Sequence, residues 1–315
     1  MLQIFSVNKT INFLKHAMPI SILSMVLVIA SLASLGIKGI NWGLDFTGGT
    51  VVELEFSKPV DLIELRSELS TDAGEGAVVQ NFGSSRDVLI RLPVLEDVKS
   101  DTQVSAVMKG AQSIDSSVIQ KRVEFVGPQV GKELAEQGGL AVIVALICIL
   151  IYVSFRFEWR LAMGSVAALA HDVIVTLGVF SILQLEFDLT VLAGLLTVVG
   201  YSLNDTIVVY DRVRENFLKM RKGGPEEVVN RSITQTMSRT IITTGTTLVV
   251  VIALFLKGGT MIHGFATALL CGIFVGTYSS IYVASYLAVK LGICREHMMP
   301  VEIEKEGADQ DAVMP

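Results

Sequence analysis

Apolar residues in this chain gather into six runs, at 18–37, 139–155, 161–183, 189–210, 241–256 and 264–289, with polar stretches between them. Each is close to the roughly 17–25 residues a helix needs to cross about 30 Å of hydrocarbon. The pattern therefore predicts six transmembrane helices with both termini on one side. The first run follows Lys9, Lys15 and His16, as the core of a signal peptide would. It is long for that, and Gly36-Ile37-Lys38-Gly39 after it offers no small-x-small cleavage pattern, so it reads as an uncleaved span.

The period changes between the first two spans. At 50–56, Val52, Leu54 and Phe56 alternate with Glu53 and Glu55, which predicts a half-buried strand. Leu62, Leu65 and Leu69 then fall at helical spacing behind Asp61, a candidate N-cap. Strands follow at 77–82 and 87–92, around a turn at Gly83-Ser84-Ser85. A helix at 100–114 shows Val104, Val107, Met108 and Ala111 on one face, and a strand at 118–126 closes the segment. The order β-α-β-β-α-β predicts an α+β ferredoxin-like domain over 38–137, inserted into an all-α six-helix membrane bundle. The domain has no His and no Cys, so neither a disulfide nor a Cys metal site is expected in it.

Composition agrees with the runs: mean hydropathy is +0.58 and only 18% of residues are charged, against about a quarter in soluble domains. The net charge of −6 matters less than where the cations sit. Arg156 and Arg160 separate spans two and three. Arg212, Arg214, Lys219, Arg221, Lys222, Arg231 and Arg239 fall in the connection 211–240 between spans four and five. The connection between spans three and four carries Glu186 and Asp188 but no Lys or Arg. Basic short loops stay inside, so the tails 1–17 and 290–315 and the loop 211–240 are expected in the cytoplasm, with 38–137 outside. Gly224-Pro225-Glu226-Glu227 reads as a helix start running toward Ser238. The acidic, aromatic-free tail from Glu296 is expected to be disordered. The three cysteines, Cys148, Cys271 and Cys294, lie in or beside spans.

The last span carries a ladder of small residues: Gly264, Ala268, Gly272, Gly276, Ser280, Ala284 and Ala288, each four from the next. Such a stripe admits another helix at close range. That helix is expected from this same chain, with a partner subunit as the alternative.

Ionisable groups inside a span cost about 2.5–3.5 kcal/mol on insertion scales, so each asks for a reason. Asp205 lies in span four, His171 and Asp172 in span three, and Arg239 at the start of span five. A carboxylate there can be neutral when dry or ionised beside a guanidinium, which is what a proton pathway requires; a static Asp205–Arg239 pair is the plainer reading. For His171 and Asp172 the plainer reading is a buried pair satisfying polar neighbours. Enzymatic readings are weaker. The Gly-x-Gly-Asp motif of intramembrane aspartic proteases is absent, and Ser202 lacks a Gly-x-Ser-x-Gly turn. Asp45-Phe46-Thr47-Gly48-Gly49-Thr50 lacks the Gly-Lys-Ser/Thr ending of a phosphate loop. With no ATP site visible, any energy would come from an ion gradient. No enzymatic activity, cofactor, metal or nucleic-acid partner is expected.

Four segments resemble the signatures of the SecD/SecF family of the RND-like superfamily. They are Gly43-Leu44-Asp45-Phe46-Thr47-Gly48-Gly49-Thr50, Val126-Gly127-Pro128-Gln129-Val130-Gly131, Gly200-Tyr201-Ser202-Leu203-Asn204-Asp205-Thr206 running on to Asn216, and Ser238-Arg239-Thr240. Length and span number are similar to the smaller of the family's two subunit types. The resemblance implies a multi-pass protein of the bacterial inner membrane with a periplasmic domain. It implies a heterodimer with SecD, a twelve-helix assembly that aids late protein export through SecYEG on the proton motive force. YajC and unfolded preprotein are the further implied partners. By position, Asp205 and Arg239 match the family's helix-four aspartate and helix-five arginine; His171 and Asp172 match less closely. The alternative is a scaffold that transduces nothing, or, less well by length, a small-molecule efflux subunit.

Overall fold

The computed structural model describes residues 10–72, 77–82, 84–94, 100–220 and 223–299. Among these, six helical stretches are long and apolar enough to cross a membrane. In chain order the elements are α1 (Ala17–Ile37), β1 (Asn41–Trp42), α2 (Leu44–Thr47), β2 (Gly49–Glu55), α3 (Leu62–Asp72), β3 (Val78–Phe82), β4 (Ser84–Leu92), α4 (Ser100–Ile114) and β5 (Ile119–Val126). Then follow α5 (Pro128–Arg156), α6 (Trp159–Leu183), β6 (Glu186–Phe187), α7 (Leu189–Lys219), α8 (Pro225–Lys257) and α9 (Thr260–Ser279). A π-helical stretch, Ser280–Ala284, joins α9 to α10 (Ser285–Lys290).

Three helices run well past their apolar cores. The run at 139–155 is the inner part of α5, which starts at Pro128 in the first helical position. The connection 211–240 is not a loop but two helix extensions, α7 to Lys219 and α8 from Pro225. The expected helix start at Gly224-Pro225 is present, and the helix continues without a break into span five. Hydropathy marks where lipid begins, whereas backbone hydrogen bonding continues into water when side chains permit. The acidic stretch 300–315, the extreme N-terminus, Arg221, Lys222 and Gly83 of the expected hairpin turn lie outside the described residues.

Burial divides the bundle. Half of the most apolar window is buried within the chain for α6 and for α7 (50% each) and 44% for the last span, against 11% for α1, 6% for α5 and 11% for α8. So α6, α7 and α9 form the interior, and α1, α5 and α8 face lipid or another protein. The small-residue ladder explains the closeness of α9 and α7: a Cβ on Gly272 would lie 2.1 Å from Val198 Cγ2, and one on Gly276 2.9 Å from Ser202 Cβ. Gly264 faces Val191, and Ala268 packs against Gly194. The stripe is thus consumed inside this chain.

The inserted domain is a four-stranded antiparallel sheet ordered β3-β4-β2-β5. Val52, Leu54 and Phe56 face α3 and α4, packing with Leu65, Leu69, Ile90, Val107 and Ala111. Asp61 Oδ1 accepts the Ile63 amide at 2.8 Å, capping the start of α3. The expected polar face of β2 is not open to water: Val51 and Glu53 are also buried, because β2 is a central strand and its second face looks toward the membrane helices.

Asp115 closes the end of α4 by accepting the amides and hydroxyls of both Ser57 and Ser117. The hydrogen bonds from Ser117 and then Ser57 hold its carboxyl well below the ordinary value of 3.8. A carboxyl lowered on folding stabilises above its ordinary value and loses that contribution as pH falls below it. Amide exchange of the full chain, corrected for intrinsic rate, should therefore show protection at 57 and 117 falling from pH 5 to pH 3. Asp115→Asn, which keeps one acceptor oxygen but no charge, should show weaker protection that does not change over this pH range; protection indifferent to both changes would contradict the account.

Candidate functional site

At the domain end, the glycine-rich segment makes a joint. Gly48 and Gly49 have φ of +67° and +127°, and a Cβ on Gly49 would lie 2.5 Å from Leu92 O. Only glycine fits there without strain. Gly131 of α5 sits against Gly48, where a Cβ would meet its amide nitrogen at 3.0 Å. Gly127 caps α5 in extended conformation ahead of Pro128. Gly43 donates its amide to Phe187 O at 2.8 Å, and Phe46 stacks on Phe187. Asp45 Oδ2 accepts the Leu189 amide at 3.0 Å, beside the N-cap Asp188 of α7. A carboxylate there satisfies an orphan amide and suits the positive end of the dipole. This signature therefore does architectural work, tying α1, the sheet, α5 and α7 together.

Chemistry is concentrated in the bundle interior. Asp172 of α6 is fully buried; it accepts hydrogen bonds from Ser202 Oγ of α7 and from Ser279 Oγ of α9 at 2.8 Å, and its Oδ1 meets His171 Nδ1 at 2.9 Å. Ser202 is one turn before Asp205 on α7. Thr206 and Ser280 hydroxyls meet at 3.0 Å, binding α7 to the π-helical turn. Such wide turns recur at functional sites, and here adjacent serines reach different helices, Ser279 toward α6 and Ser280 toward α7. The ring of His171 lies 6.2 Å from that of Tyr278, whose hydroxyl meets Ser24 Oγ of α1 at 2.7 Å. His171 Nε2 is buried without a hydrogen-bond partner.

Asp205 is held differently. It is 4% exposed, and its Oδ2 has no hydrogen-bond partner. Arg239, exposed on α8, is the cation whose field reaches it, but the two form no ion pair among the described residues. The static pair, the plainer of the two readings, is therefore not formed. Asp172 has three hydrogen-bond partners, whereas Asp205 Oδ2 has none. A buried charge is tolerable only when compensated.

Other signature residues fall elsewhere. Gly200 and Asn204 lie on the exposed side of α7, away from this cluster. Asp211 pairs with Arg156, and Arg212 with Glu215 at 2.7 Å, an interfacial network at the basic end. Ser279 and Ser280 carry no signal in the sequence beyond being small, because serine is tolerated in many helices. Among the described residues no group of three His, Cys, Asp or Glu side chains could hold a metal ion.

Comparison with known proteins places these features in a family. The family described as Protein export membrane protein SecD/SecF, C-terminal, matches residues 106–293, and the SecD/SecF GG Motif matches residues 33–60. The chain is 60% identical over 314 residues to protein translocase subunit SecF of Vibrio alginolyticus, covering 99% of each chain. It is 52% identical over 295 residues to the subunit of that name from Escherichia coli O157:H7, covering 93% of this chain and 91% of that one. Among solved structures it is similar to SecDF, a translocon-associated membrane protein from Thermus thermophilus, with a TM-score of 0.83 and 40% identity. The match covers 92% of this chain and 40% of that longer one. A SecDF structure in a super-membrane-facing form matches with a TM-score of 0.68.

Proposed function

The chain belongs to the SecD/SecF family of protein-export membrane proteins, and from that premise we propose that it is a proton-coupled accessory subunit of the Sec translocase, working with a SecD partner in the bacterial inner membrane. The observation that carries the proposal is Asp205: a buried carboxyl with one oxygen unpartnered, inside a span, within the field of Arg239. Each charge crossing the membrane releases about 2.3 kcal/mol per 100 mV, which a group of that kind can couple to movement of α7 against α8.

Asp172, with His171, Ser202 and Ser279, forms a fixed polar relay beside it. SecDF chains are more than twice as long as the part this chain matches, which supports a six-helix partner completing a twelve-helix assembly. The exposed faces of α1, α5 and α8 supply surface for such a partner and for lipid. The basic connection 211–240 and the Lys- and Arg-free connection between α6 and α7 support cytoplasmic termini and a periplasmic domain at 38–137. The strand order β3-β4-β2-β5, all antiparallel, supports a ferredoxin-like arrangement for that domain. It would meet unfolded preprotein leaving SecYEG, with YajC as a further partner.

The test is export into inverted vesicles holding the Sec channel, the SecD partner and this chain. An imposed proton gradient should accelerate export, a protonophore should remove the gain, and vesicles without this chain should show none. Equal stimulation with and without the chain would contradict the proposal.

A further inference from the structure

The helices bearing the buried carboxyls are not the helices that carry the inserted domain. The domain is joined covalently to α1 and α5, whereas Asp172 and Asp205 lie on α6 and α7. Movement at Asp205 therefore reaches the sheet across non-covalent contacts, and the connection between α6 and α7 is where the sheet and α7 meet.

We infer that Arg91 is the residue that makes this coupling. It lies one residue before the end of β4, laddered to Val51 of β2 and Val78 of β3, so its backbone moves with the sheet. Its guanidinium reaches three groups at once. Nη2 pairs with Glu186 Oε1 at 2.8 Å, and Nη1 donates to Trp42 O at 2.9 Å and Asn41 Oδ1 at 3.4 Å. Glu186 belongs to β6, two residues before the N-cap of α7, and pairs in parallel with Asn41 of β1. Among the described residues, this is the one ion pair between the sheet and the α6–α7 connection. Both partners are shielded, with side chains 16% and 26% exposed, and a planar guanidinium suits a contact that must hold direction as well as charge. Asp45 to the Leu189 amide, Gly43 to Phe187 O and Asn41 Nδ2 to Gln184 O fix the α6–α7 connection and the start of α7 to the segment after α1. That segment runs directly into β2, and Arg91 adds a second link to the sheet, made from β4. It is a positioning residue, and its role rests on Asp205 being the coupled group.

The test compares the full complex carrying Arg91→Gln, Arg91→Lys or Glu186→Gln, each with and without the additional change Asp205→Asn. Export and amide exchange across β1, β4 and β6 are read together. In the parent, Asp205→Asn should alter exchange in β4 as well as in β6. In Arg91→Gln, the sheet should stay protected and β6 should still respond, but the response in β4 should vanish. Gradient-driven export should fall about tenfold, within the range of ordinary couplings between sites. Glu186→Gln should match it, and Arg91→Lys should recover part of both. Full export by Arg91→Gln, or a β4 response that survives it, overturns the inference while leaving the role of Asp205 intact. Loss of sheet protection in Arg91→Gln would also overturn it, as a folding role. If Asp205→Asn changes neither export nor exchange in the parent, the proton-coupling reading fails, and the coupling falls with it.

Discussion

Asp205→Asn should reduce gradient-stimulated export to the level seen without a gradient, while the complex assembles and accumulates as before. Asparagine keeps the shape and volume of the carboxyl but cannot give up or take a proton near neutral pH. Because Oδ2 makes no hydrogen bond, the substitution breaks none there. Placing an amide in that position costs at most about 1–3 kcal/mol if it finds no acceptor. A positioned proton-transfer group contributes on the order of 10²–10⁴-fold, so a loss of about a hundredfold in the gradient-dependent component is expected. Quantitative export assays with matched amounts of complex check it. A scaffold without transduction would tolerate the change.

The second large effect is expected at Gly272, through packing and not chemistry. A Cβ there would stand 2.1 and 2.3 Å from the two methyl carbons of Val198 and 2.8 Å from its Cβ. Valine in a helix has one strongly preferred rotamer, so the clash cannot be relieved by turning the side chain. Inside a membrane there is little hydrophobic force to hold helices together once their surfaces no longer fit. Gly272→Leu should therefore separate α9 from α7, and overpacking of this kind costs about 1–3 kcal/mol or more. Ser279 of α9 would be drawn away from Asp172 along with it. Thermal unfolding in detergent should show a clear drop in stability, and Val198→Ala should restore part of it by removing the two methyl groups. An unchanged midpoint in Gly272→Leu, or no rescue, would refute the packing account.

Apolar runs make all six helices legible, since nothing else in a sequence is apolar for so long. They stop α5, α7 and α8 short, because charged residues (Lys132 and Glu136 in α5, Arg212 and Arg214 in α7, Glu226 and Arg231 in α8) end an apolar run without ending a helix. Alternation at Val52, Leu54 and Phe56 reveals the strand, but not that Glu53 is buried too, which depends on what covers the second face of the sheet. β1 and β6 are two residues long and lie far apart in the chain, so no local pattern announces them. The small-residue ladder shows that something packs closely, and only the fold shows that it is α7. Within the site, Asp205, Asp172 and His171 are visible because charge in lipid is expensive. Ser202, Ser279 and the π-helical turn are not, because their meaning comes from neighbours on other helices.

Proton entry into vesicles is the most direct measurement of the central claim. Vesicles containing this chain and its partner, with a pH-sensitive dye inside, should acidify faster than empty ones when an inward gradient is imposed. The same vesicles with Asp205→Asn should acidify at the empty-vesicle rate. Equal acidification by the two proteins would contradict the assignment of Asp205 as the coupled group.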